Sequence, residues 1–130
     1  MNKFFLVFWI LILFTGCKST IAMPQYNNHY IAQYGESKNT IKSIEKSIIK
    51  GALSLGWKTD VISEGEILAT LNIRKHQLTV MITHDEKTMS VDYQSSVNLK
   101  YDAKKNKIHR QYANWVTNLF RAVDVQNLNN

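Results

Sequence analysis

Apolar residues recur at three- and four-residue steps over Ile41, Ile44, Ile48, Ala52 and Leu55, which aligns them along one side of a helix. Asn39 or Thr40 has the side chain to cap its start, and Gly56 suits the left-handed position just past its end. After Trp57 the period falls from 3.6 to two. Ile67, Ala69, Leu71 and Ile73 recur at two-residue steps, as do Leu78, Val80 and Ile82, and then Met89, Val91 and Tyr93. Ser63-Glu64-Gly65, Arg74-Lys75-His76 and His84-Asp85-Glu86-Lys87 supply the turns between them. With Trp57 to Ile62 as a first strand, the pattern predicts a four-stranded antiparallel meander with one buried face. A second helix is expected over Ile108, Tyr112, Trp115, Val116, Leu119 and Val123. Neither helical stripe is stable in water, so both helices should cover one sheet face. The expected fold is therefore an α+β two-layer sandwich over residues 39–124, with residues 125–130 a frayed tail.

Upstream, Lys3 precedes an unbroken apolar run from Phe4 to Phe14, followed by Thr15, Gly16 and Cys17. Eleven helical residues rise about 16 Å, half a bilayer core, so the run suits a signal peptide over residues 1–16 better than a membrane span. The Phe14-Thr15-Gly16-Cys17 stretch resembles a bacterial lipobox. That resemblance implies cleavage before Cys17, a thioether to diacylglycerol and acylation of the new amine, for instance by palmitate. One acyl chain binds membranes with K of about 10⁴ M⁻¹, and two or three make the attachment near-permanent. The alternative is an ordinary secreted protein with a chance cysteine at its cleavage site. By resemblance to lipoprotein sorting rules, Lys18 in place of Asp directs the anchor to the outer membrane, facing the periplasm. Residues 17–38 hold the lipidated cysteine and a flexible polar tether with the only proline, Pro24. Twenty such residues span about 25 Å.

With that leader removed, too little chain remains for two cores. A hydrophobic content of 45% excludes a disordered chain, and a single Cys excludes an internal disulfide. The net charge of +6 is concentrated late, at Lys100, Lys104, Lys105, Lys107 and Arg110. In the cytoplasm such a cluster would suggest nucleic acid. Outside the inner membrane the available polyanions are phospholipid headgroups and envelope polymers, so no nucleic-acid partner is expected. Each basic residue near an anionic surface contributes about 1 kcal/mol. The Lys42, Lys46 and Lys50 row along the first helix reads as a solvated face.

Ser96, His109 and Asp92 supply the side chains of a hydrolase triad, but no Gly-x-Ser-x-Gly elbow surrounds Ser96. Ser96 and Asn98 are equally suited to ending a strand on local backbone, and His109 to bonding the loop before the helix. His29, His76, His84 and His109 are too scattered for a metal centre, and His84-Asp85-Glu86 suits a polar turn. No phosphate-binding loop is present, so neither metal nor cofactor is expected. Trp57, Tyr93, Tyr101, Tyr112 and Trp115 are expected in the core, with a cleft at the last helix as the alternative.

The segment Tyr93-Gln94-Ser95-Ser96-Val97-Asn98-Leu99-Lys100-Tyr101, with Ile108-His109, Tyr112 and Trp115 after it, resembles a family of small bacterial envelope lipoproteins. The likeness runs from residue 40 to residue 122 and includes the Gly56-Trp57 pair. Ser95 stands where an acidic residue is usual, and Ala113 where Asn is usual. The resemblance implies location and fold but no reaction. The expected role is thus noncatalytic, binding either an envelope protein or an anionic surface. The competing expectation is a small-ligand carrier or hydrolase with a pocket around Tyr93, Ser96, Asn98, His109 and Trp115.

Overall fold

The computed structural model describes residues 19–129. The leader, Cys17 and Lys18 lie outside them. The elements are β1 (Thr20–Ala22), β2 (Tyr26–Tyr30), α1 (Ile41–Ser54), β3 (Trp57–Ser63), β4 (Glu66–Ile73), β5 (His76–His84), β6 (Thr88–Val97), β7 (Lys107–His109) and α2 (Gln111–Leu128). The α+β class holds, and β3 to β6 form the expected meander. The sheet nevertheless has five strands rather than four, in the order β2-β6-β5-β4-β3, and β1 pairs with β7 in a second, two-stranded sheet. All pairs are antiparallel.

Strict alternation puts Ile67, Ile82 and Val91 in one cross-strand row and Ala69, Val80 and Tyr93 in the next, on the same face. That face is buried together with Ile44, Ile48 and Ala52 of α1 and Tyr112, Val116, Leu119 and Val123 of α2. Burying each large aliphatic side chain contributes about 1.5–3 kcal/mol, so this layer is the main source of stability. The other face carries Thr70, Thr79, Thr83, Ser90 and Asp92. Leu68 and Met81 pair on this face as well, half-buried among the polar side chains.

Helix α1 begins with a capping box, in which Ser43 N–H donates to Thr40 Oγ1 at 3.0 Å and Thr40 N–H donates to Ser43 Oγ at 2.8 Å. It ends as expected at Gly56, whose φ of +87° is left-handed. Where α1 crosses α2, a Cβ on Gly51 would lie 2.8 Å from Val123 N. The helix pair therefore packs backbone to side-chain-free backbone at this point.

Three expectations need correction. Residues 19–38 are not a free tether: β1 and β2 lie within them, each using a neighbour's backbone for its hydrogen bonds, and Ile31 is buried. Ile108 does not start the last helix; it is a core residue of β7, and α2 starts at Gln111. Residues 125–128 continue α2 instead of fraying. Buried Asn127 holds that end, donating to Ala32 O at 2.9 Å and Asn39 Oδ1 at 3.2 Å and accepting from Ser47 Oγ at 3.0 Å.

Gly51→Ala should cost about 1–3 kcal/mol, because the new methyl meets backbone that cannot rotate away. A urea midpoint unchanged from wild type would refute the tight helix crossing.

Candidate functional site

The basic residues are carried on an ordered hairpin. Asp102 and Lys107 exchange backbone hydrogen bonds of 2.9 and 3.1 Å, and Asp102 Oδ1 accepts from Lys105 N–H at 3.0 Å. Lys104 and Lys105 are thus at the tip, and Asn106, with φ of +51°, turns the chain into β7. Lys100, Lys104, Lys105, Lys107 and Arg110 are all exposed. Asn98 and Lys100 take left-handed φ values of +58° and +53°, and between them Leu99 is driven into the core.

The N-terminal end of the described chain is fastened to this same segment. Arg110 N–H donates to Ser19 O at 2.9 Å, and Lys100 Nζ donates to Ser19 Oγ at 2.9 Å. Thr20, Ile21 and Ala22 then pair in register with His109, Ile108 and Lys107, and Met23 N–H donates to Asn106 O at 2.8 Å.

The polar residues expected to share a pocket have separate local tasks. Tyr93 Oη and Ser96 Oγ are hydrogen-bonded at 2.6 Å, and Asn98 donates to Lys75 O while its own carbonyl meets His76 Nδ1 at 2.8 Å. His109 Nδ1 accepts from Gln111 N–H at 3.1 Å. Asp92 faces the open side of the sheet while Ser96 faces the helix side, because a bulge in β6, where the register shifts between Thr79 and Val80, inserts one residue between them and so separates two members of the supposed triad. No hydrogen bond joins Ser96, His109 and Asp92 among the described residues. A groove of about 230 Å³ is lined by Leu55, Trp57, Leu71, Ile73, Trp115 and Asn118, and takes only Trp115 from the expected pocket set. Among the described residues no group of three or more acidic, His or Cys side chains is placed to hold a metal ion.

The aromatics form a continuous ladder. His29 stacks on Phe120 at 4.4 Å, Phe120 meets Tyr26 at 5.7 Å, Tyr26 meets Tyr112 at 5.9 Å, Tyr112 meets Tyr93 at 5.9 Å, and Tyr93 meets Tyr101 at 4.4 Å. Burial raises the Tyr112 hydroxyl pKa far above its ordinary value, and raises those of Tyr26 and Tyr93 more modestly. These phenols therefore stay protonated and act as packing and hydrogen-bonding groups. Sequence reasoning missed His29, whose Nε2 lies 3.0 and 3.2 Å from the two Asp124 oxygens and clasps β2 to α2. Its polar neighbours gave no periodic signal.

Desolvation, followed by the charges of Lys100, Arg110 and His76, holds the His109 imidazole below its usual pKa. The permanent charge of this face therefore resides in Lys and Arg. No family model, curated protein or solved structure matches the chain.

Because folded His109 resists protonation, the unfolded chain binds the proton first as pH falls, and stability drops across the imidazole range. Wild type should therefore lose more urea resistance than His109→Gln between about pH 7.5 and pH 5. Parallel pH profiles for the two proteins would remove His109 from the balance.

Proposed function

We propose that the protein is a noncatalytic envelope lipoprotein, anchored through acylated Cys17 to the outer membrane, whose domain lies against anionic headgroups through Lys100, Lys104, Lys105, Lys107 and Arg110. The fastening of Ser19 to Arg110 and Lys100 carries this reading. Two peptide units separate Cys17 from Ser19 and reach at most about 7 Å. Acyl chains on Cys17 therefore enter a bilayer beside the basic hairpin, whereas a free 25 Å tether would have allowed any orientation. The lipobox and the resemblance to small envelope lipoproteins support the same compartment. Among the described residues no helix is long and apolar enough to cross a membrane.

Acyl insertion and headgroup attraction then act together. The lipid makes attachment durable, and the basic residues select which side of the domain faces the surface. The open sheet face and the groove at Trp57 and Trp115 remain available for other contacts.

The test is partition of residues 18–130, without lipid, onto vesicles rich in phosphatidylglycerol. Reversing Lys104, Lys105 and Lys107 to Glu should weaken partition by about 100-fold or more, from about 1 kcal/mol per lost cation. High salt should release the wild type. Equal retention of both proteins would end the surface-binding proposal.

A further inference from the structure

Strand β3 ends the five-stranded sheet and, among the described residues, has a strand neighbour only on its β4 side. An open edge is a template for another strand. Its first five residues, Trp57-Lys58-Thr59-Asp60-Val61, are in unbroken register with β4, and the register shift comes only after Val61. Lys58 and Asp60 are both exposed, and by alternation both point to the open sheet face.

From this edge we infer that the partner is a second copy of the chain, paired antiparallel along β3 about a two-fold axis at Thr59. In that register each Lys58 faces the other copy's Asp60, twice by symmetry, so the edge is complementary in charge to itself. Lysine at an edge ordinarily deters pairing, but here the same strand brings the acid that offsets it. The other side of the strand matches as well. The axis sets Val61 of one copy opposite Trp57 of the other, and Trp57 lines the groove shared with Leu55 and Leu71. Val61 and Leu55 are 42% and 40% exposed. Pairing lays exposed Val61 against the other copy beside that groove, whose Trp57 is itself buried. Either hydrogen-bond phase satisfies the ladder, because a register centred on one residue pairs positions of equal parity. The result is a ten-stranded sheet with both helical layers on one side. Anchoring in a membrane confines the copies to one plane and raises their effective concentration.

The experiment uses the full chain in its native membranes, with wild type as the blank. Thr59→Cys places two thiols on opposed residues about 4.5–5.5 Å apart at Cα, within reach of the shortest bis-methanethiosulfonate. A covalent dimer should form. Adding Lys58→Asp should cut its yield at least tenfold, and Lys58→Asp with Asp60→Lys should restore it. Should the Thr59→Cys protein fail to accumulate, co-expressed Lys58→Cys and Asp60→Cys copies should link to each other more than either does to itself. No dimer in either arrangement overturns the proposal. So does a yield indifferent to Lys58→Asp, or matched by Gln94→Cys at an exposed position of β6, since both mark random collision.

Discussion

The backbone pairing of residues 20–30 fixes the N-terminal segment to the rest of the domain. A polar chain of twenty residues left in water would wander over about 25 Å. Here its backbone groups are satisfied twice, by β7 through β1 and by β6 through β2, and Ile31 is buried after them. Releasing the segment would expose that apolar surface and separate His29 from Asp124 and Phe120. From Ser19 onward the segment and the domain are therefore one mechanical unit.

The same pairing explains why the basic residues lie together. Lys104, Lys105 and Lys107 belong to a hairpin closed by Asp102, and Lys100 and Arg110 flank it where they bond Ser19. Five exposed cations in one short segment repel one another, and among the described residues none of them forms a salt bridge. Screening by salt relieves part of that repulsion, and an anionic surface relieves more. His109, tied to Gln111 N–H and held neutral by burial and its cationic neighbours, adds no further charge near neutrality.

The parts of the fold legible in the sequence were those whose side chains report burial. β4, β5 and β6 each bury one face, so their two-residue period is readable despite Leu68 and Met81 on the open face and the bulge in β6, and α1 shows its stripe together with its cap and terminal glycine. β2 was hidden because Tyr-Asn-Asn-His-Tyr is stabilised by its partner's backbone and by ring stacking, neither of which leaves a hydrophobic period. β1 and β7 have three residues each, too short to show one. Ile108 fits a helical stripe and a strand equally well, and only its pairing with Ile21 distinguishes them. Asn127 read as a frayed end because polar residues seldom sit in a core. Its hydrogen bonds to Ser47, Ala32 and Asn39 reverse that expectation, and all of these partners are far away in the sequence.

The site was legible in composition but not in arrangement. The cations from Lys100 to Arg110 are countable from the chain, yet their meaning depends on Ser19 lying against them, a contact across eighty-one residues. The polar set around Ser96 and His109 shows the converse. Its members are near one another in sequence, but the bulge in β6 turns Asp92 to the far face, and Tyr93, Gln111 and Lys75 take up the remaining hydrogen bonds. A reactive serine needs a base whose ring nitrogen is aimed at it. His109 directs Nδ1 along its own helix terminus instead, where accepting from Gln111 N–H serves a helix start whose residue Arg110 offers no side-chain cap. The histidine that best matched a catalytic role in the sequence is thereby committed to ending a turn.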